Sequence, residues 1–163
     1  MSPNRHRPHI IILPEDRANE QIANGFIFNN SIIVNNIQII PPAGGWIKVI
    51  EKFNLDLLPT MQEYINRIVV LLIDFDNNSD RLKTVKQDIP ELYLDRVFVL
   101  GVFTEPEELR RDVGRSFEDI GTALANECFE GRHDLWVHNL LDNNRCELER
   151  FASVFRTNFI RLD

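Results

Sequence analysis

Residues 68–76 read Ile-Val-Val-Leu-Leu-Ile-Asp-Phe-Asp. The run from Ile68 to Ile73 is unbroken apolar and rich in β-branched side chains, as expected of a short strand buried on both faces. It stops at Asp74-Phe75-Asp76-Asn77-Asn78, a turn-rich acidic loop. Downstream, a helix is expected around Ser79–Gln87 and a fourth strand at Val97–Val102, closed by Phe103-Thr104-Glu105-Pro106-Glu107. From Glu107 to Phe159 the pattern is helical, with breaks at Gly114, Gly131-Arg132 and Asp142-Asn143. The segment Trp136–Leu141, which carries His138, reads as part of that helical tract.

Upstream, the same alternation repeats. His9–Leu13 is a short apolar strand ended by Pro14-Glu15-Asp16, with Asp16 placed to cap a helix over Arg17–Phe28. That helix puts Ile22, Ala23 and Phe26 on one face, and leaves Asn19 as an exposed first-turn residue. A second strand is expected at Ile37–Ile40, broken by Pro41-Pro42-Ala43-Gly44-Gly45. A helix then starts near Trp46 with Ile47, Ile50 and Phe53 inward, Asn54–Pro59 reads as a loop, and Thr60–Arg67 as a helix. Strands alternating with helices imply an α/β, Rossmann-like fold. Its central sheet is mostly parallel, of about four strands flanked by helices, with a helical C-terminal third.

Length and composition agree. A chain of 163 residues, 44% hydrophobic and 26% charged, is long enough to bury one core. Phe supplies 11 of its aromatics against 2 Trp and 2 Tyr, which points to core packing rather than base stacking. No stretch has the apolar length of a membrane span and no signal-peptide core follows the basic start, so a cytoplasmic protein with reduced, buried Cys128 and Cys146 is expected. A net charge of −7 argues against broad attraction to nucleic acid. It does not exclude a nucleic-acid enzyme whose carboxylates hold metal. Arg110, Arg111 and Arg115 fit a solvated helix face better than a strip guiding a phosphate backbone.

In parallel sheets ligands bind beyond the carboxyl ends of the strands. Glu15, Gly44-Gly45, Asp74-Phe75-Asp76 and Thr104-Glu105 each follow a strand, so the topology gathers all four loops on one side. Carboxylates two apart in an extended segment point the same way and repel unless a cation lies between them. Asp74 and Asp76, joined by Glu15 if the first and third strands are neighbours, suit a hard cation, Mg2+ or Mn2+. Gly44 and Gly45, with Lys48 one turn into the next helix, offer a place for a phosphate. Glu105 and Glu107 either extend the acidic site or start the next helix with charges that suit its dipole. No zinc-ligand spacing or nucleophile elbow is present.

The order of these signals, Glu15, then Gly44-Gly45, then Asp74-x-Asp76, resembles the Toprim domain of topoisomerases, primases and the overcoming-lysogenisation-defect nucleases. The resemblance covers roughly residues 9–108, with residues 109–163 as a helical extension of a single domain over 1–163. Two positions depart from the family pattern: Asp16 stands where glycine usually follows the glutamate, and Asn19 where an acidic residue is common. The resemblance implies carboxylate-bound Mg2+ and phosphoryl transfer on nucleic acid. Glu15 would move a proton or bind metal, and Asp74 and Asp76 would bind metal. Tyr64 and Tyr93 lie inside the domain, so a standalone nuclease-like member is expected rather than a tyrosine topoisomerase.

Two other readings stand beside it. Leu71–Asn77 also resembles the first motif of haloacid-dehalogenase-like phosphatases, with Asp74 as nucleophile, Asp76 as acid/base and Thr104 on phosphate, although Lys83 and Lys86 precede Thr104, out of that family's order. The third is a non-catalytic interaction or regulatory domain, its acidic loop solvated, with a protein partner or a second copy on the helical third.

Overall fold

Alternation of side chains explains why the apolar runs form a sheet covered on both faces. In the computed structural model, which describes residues 5–29 and 31–161, strands β1 (His9–Pro14), β2 (Ile37–Ile39), β3 (Arg67–Leu72) and β4 (Val97–Leu100) form one sheet in the order β2-β1-β3-β4. Every pairing is parallel, with Ile10 opposite Ile37 and Ile68, and Leu72 opposite Leu100. Ile11, Leu13, Val69, Leu71, Val97 and Val99 enter one core, with Val49 and Phe53. Ile10, Ile12, Ile68, Val70, Phe98 and Leu100 enter the other, with Ala23, Phe151 and Phe155.

The helices divide between the two faces. α2 (Trp46–Lys52), α3 (Leu58–Met61) and α4 (Arg81–Gln87) cover the first; α1 (Arg17–Ile27), α6 (Phe117–Glu130) and α7 (Arg145–Asn158) cover the second, with α5 (Pro106–Val113) beside α6. The abundance of Phe resolves into packing on this second face, where Phe26, Phe98, Phe151, Phe155 and Phe159 form a chain of ring contacts. A seam between α1 and α6 draws the backbones together. A Cβ on Gly121 would sit 1.9 Å from the carbonyl oxygen of Ile22, and one on Gly25 1.9 Å from that of Glu118.

The outer edge of β4 is closed by side chains rather than by a fifth strand. Glu147 accepts from the Val99 amide at 3.0 Å, Asn144 accepts from the Gly101 amide at 2.9 Å, and Arg150 donates to the Val97 carbonyl at 3.4 Å. Lys86 and Arg150 neutralise the buried Glu147, at 2.6 and 3.0 Å. Unpaired edge groups are a template for association, and α7 removes them.

Several local expectations are corrected. Asn54–Pro59 is not a loop: Phe53–Leu57 forms a π turn that runs into α3, because Phe53, Leu57 and Met61, four apart, all bury against the sheet. The helix expected over Thr60–Arg67 ends at Met61, since Arg67 already pairs with His9 as strand. Ile47 faces solvent, and Val49 takes the inward position. Trp136–Leu141 is a series of turns, with the His138 ring accepting from the Leu140 amide. Cys128 is buried, its thiol pushed up to about 12 by burial, but Cys146 is exposed.

Candidate functional site

The chain leaves β1 for β2 on one side, then crosses back to place β3 on the other. This makes the gap between the ends of β1 and β3 the switch point at which open α/β sheets form their crevice. Glu15 is the first residue beyond β1, and Asp74 lies just beyond β3. The Glu15 carboxylate accepts a 2.6 Å hydrogen bond from the Asp74 backbone amide, and the Glu15 amide in turn donates to the Leu72 carbonyl at 2.8 Å. Glu15 and the Asp-x-Asp turn are thus held together, on the rim the sequence assigns them.

Asp74 is buried, 8% exposed, and accepts from the Asn19 side chain at 2.9 Å. The same Asn19 amide reaches the Asp16 carboxylate at 3.1 Å, while Asp16 caps α1 through the Asn19 backbone amide at 3.0 Å. Asn19 is therefore not an exposed first-turn residue. Capping turns it inward, where it also lines a largely apolar cavity of about 70 Å³ between the sheet and the α1, α6 and α7 layer. Burial first, then the neighbouring Glu15, Asp16 and Asp76, raise the Asp74 carboxyl to about 7 against the opposing Asn19 bond. Glu15 is also raised, chiefly by burial, with its bond to the Asp74 amide working the other way.

Asp76 and Asn77 both take left-handed backbone conformations, φ 47° and 60°, which Asp and Asn tolerate better than most residues. Their amides donate to the carbonyls of Thr104 and Phe103, tying the turn to the loop after β4. This bend exposes Asp76 and brings it to Arg81, the first residue of α4, whose Nη1 donates to Asp76 at 2.5 Å and to the Asp74 carbonyl at 3.0 Å. The Arg81 guanidinium also stacks on the Trp46 ring, 4.5 Å from its centre.

Gly44 and Gly45 follow β2 with φ values of 94° and 146°, which L side chains rarely adopt. The Gly44 amide donates to the Glu15 carbonyl at 2.8 Å, so the glycine turn abuts the acidic rim. Lys48 folds back over it, its amine 3.9 Å from where a Gly44 Cβ would lie. Glu105 and Glu107 stand exposed at the start of α5, one strand further along, in positions that suit its dipole. Tyr64 and Tyr93 precede β3 and β4 and so belong to the opposite rim.

Among the described residues, no group of three or more His, Cys, Asp or Glu side chains is arranged as a metal cage. The reason is visible in the bonding: Glu15 is turned to the Asp74 amide and Asp76 to Arg81. The donor chemistry nevertheless fits a hard cation, since Glu15, Asp74 and Asp76 offer oxygen alone and, among the described residues, the Asp74 carboxylate is bonded by the neutral Asn19 side chain rather than by a cationic one. Sequence reasoning missed Arg81, and weighed Asn19 as a contact to the acidic site but preferred an exposed position for it. The signal for Arg81 was its position five residues after Asp76, opening a helix whose first turn overlooks the loop; for Asn19 it was the cap at Asp16 three residues earlier.

No protein-family model, curated protein or solved structure matches this chain. Fold and rim define it as an α/β protein with an all-parallel sheet and a carboxylate–arginine cluster at the switch point. Among the described residues, no helix is long and apolar enough to cross a membrane.

Proposed function

We propose that the chain is a metal-dependent phosphoryl-transfer enzyme acting on nucleic acid, nuclease-like, of Toprim type. The observation that carries this is the 2.6 Å bond between the Glu15 carboxylate and the Asp74 amide, which unites residues 59 positions apart at the switch point. Asp74, Asp76 and Glu15 would hold Mg2+ or Mn2+, whose contribution is to neutralise charge developing on a phosphodiester. Glu15, with its raised pKa, is suited to take the proton of the attacking water, and Lys48 over the glycine turn to face a phosphate oxygen.

The phosphatase alternative is less well supported. Of the two lysines available to it, Lys86 is committed to Glu147 on the β4 edge. The test is cleavage of single- and double-stranded DNA and RNA with Mg2+ or Mn2+, by wild type and by Asp74→Asn/Asp76→Asn. Wild type is expected to cut, and the double variant to lose at least about 100-fold in rate while keeping its circular dichroism spectrum. A wild-type protein that cuts neither polymer and binds neither metal would remove the enzyme reading and leave a non-catalytic interaction domain.

A further inference from the structure

Arg81 is the feature of this rim that the carboxylates do not explain. Its side chain is 11% exposed, yet it bonds to a carboxylate, on Asp76, that is 54% exposed. Pairs with one half-exposed partner are weak, so little holds the guanidinium there except stacking on Trp46 and the Asp74 carbonyl. Its Nε is enclosed and has no acceptor among the described residues. A buried N–H without a partner is costly and rare in finished structures. A guanidinium has the geometry to make two parallel bonds to a phosphate, and in the Asp76-bound pose one limb of that fork is unused.

The surroundings specify the same ligand. Trp46, the surface on which Arg81 rests, directly follows Gly44-Gly45, and Lys48 lies over Gly44. Two cationic side chains thus flank the Gly44–Trp46 turn. The left-handed backbone at Asp76 and Asn77 keeps Asp76 out toward solvent, where Arg81 pairs with it.

We propose that Arg81 is the phosphate-binding residue of this site, parked on Asp76 and released to a substrate phosphate, beside Lys48, when a divalent cation engages that carboxylate. The proposal rests on the metal-dependent reading above and specifies the ligand as a phosphate mono- or diester. Arg81 then links the two halves of the site: phosphate binds well only when metal is present, and metal binds at the cost of the Arg81–Asp76 pair.

The test uses calorimetric titration of the full chain with Mn2+ alone, then with inorganic phosphate with and without Mn2+. In wild type, saturating Mn2+ is expected to strengthen phosphate binding at least about tenfold, the size of one charge-assisted hydrogen bond. Arg81→Gln should lose that gain while binding Mn2+ at least as tightly, and Arg81→Lys should recover part of it. Asp76→Asn, which frees Arg81 without metal, should bind phosphate about tenfold better than wild type in metal-free buffer. Asp80→Asn, an equal charge change at an exposed position, should not, and adding Arg81→Gln to Asp76→Asn should cancel the gain. Thermal melts confirm that each variant is folded. If wild type binds Mn2+ but Arg81→Gln keeps the phosphate gain, or Asp80→Asn matches Asp76→Asn, the role of Arg81 falls and the metal site stands. If wild type binds no Mn2+, both fall together.

Discussion

Asp74 and Glu15 are carboxyl groups held in surroundings that favour their protonated forms. With a folded pKa of about 7 against roughly 3.9 in an unfolded chain, Asp74 keeps a proton between those values that the unfolded state has lost. The native state binds more protons in that window, so this group's contribution to stability falls as pH rises from about 4 to about 7, then stays constant. Glu15, also raised, acts in the same sense. His9, lowered by burial, acts in the opposite sense below its ordinary value, so the wild-type curve alone would mix the two. The clean readout is the difference between wild type and Asp74→Asn, which keeps an acceptor for Asn19 but cannot ionise. In urea melts, Asp74→Asn should be more stable than wild type at pH 8, by about 4 kcal/mol, and by only about 1.5 kcal/mol at pH 5. A constant difference across that range would show that Asp74 is not the titrating group.

Among the elements, α7 does two things: it packs Phe151 and Phe155 into the second core, and it closes the open edge of β4. Burial alone would raise Glu147, but Lys86, the Val99 amide and Arg150 together hold its carboxyl below the ordinary value. Removing one member leaves the others unpaired in a poorly solvated place, which costs more than the intact group contributes. Glu147→Ala is therefore expected to destabilise the fold by about 3 kcal/mol or more. Glu147→Gln, which still accepts from Val99, should lose about half as much. The check is the urea midpoint at constant denaturant slope. The α1–α6 seam shows the same dependence on a particular contact, because Gly25 and Gly121 each occupy a place where a methyl group would overlap a carbonyl.

For the molecule as a whole, a ligand that binds only the native state raises stability by mass action. Mn2+ at 100 times its dissociation constant should add about 2.7 kcal/mol. For a chain of this length, that is a rise of roughly 5–10 °C in the melting midpoint. Asp74→Asn/Asp76→Asn should show no such rise, even if its metal-free midpoint is higher than that of wild type. The expectation is specific to the rim, because Glu105 and Glu107, exposed at the start of α5, are untouched in that variant. An equal Mn2+ shift in both proteins would place the bound ion elsewhere.

Chain order and apolar periodicity were enough to determine the alternating architecture, the approximate places of all four strands, and the rim on which Glu15, Gly44-Gly45 and Asp74–Asp76 gather. This is because strand burial on two faces leaves a local mark of unbroken Ile, Val and Leu. The same pattern misread Asn54–Pro59, where polar residues hid the four-residue spacing of Phe53, Leu57 and Met61. Tertiary structure alone decided which strands are neighbours, that Asn19 turns inward to Asp74, and that Arg81 rather than a ready-made cage faces Asp76. Those outcomes depend on bonds between residues such as Asn19 and Asp74, 55 positions apart, and on the direction in which a bent backbone aims each side chain. Sequence periodicity records which face a residue occupies, and it carries no record of the partner that meets it there.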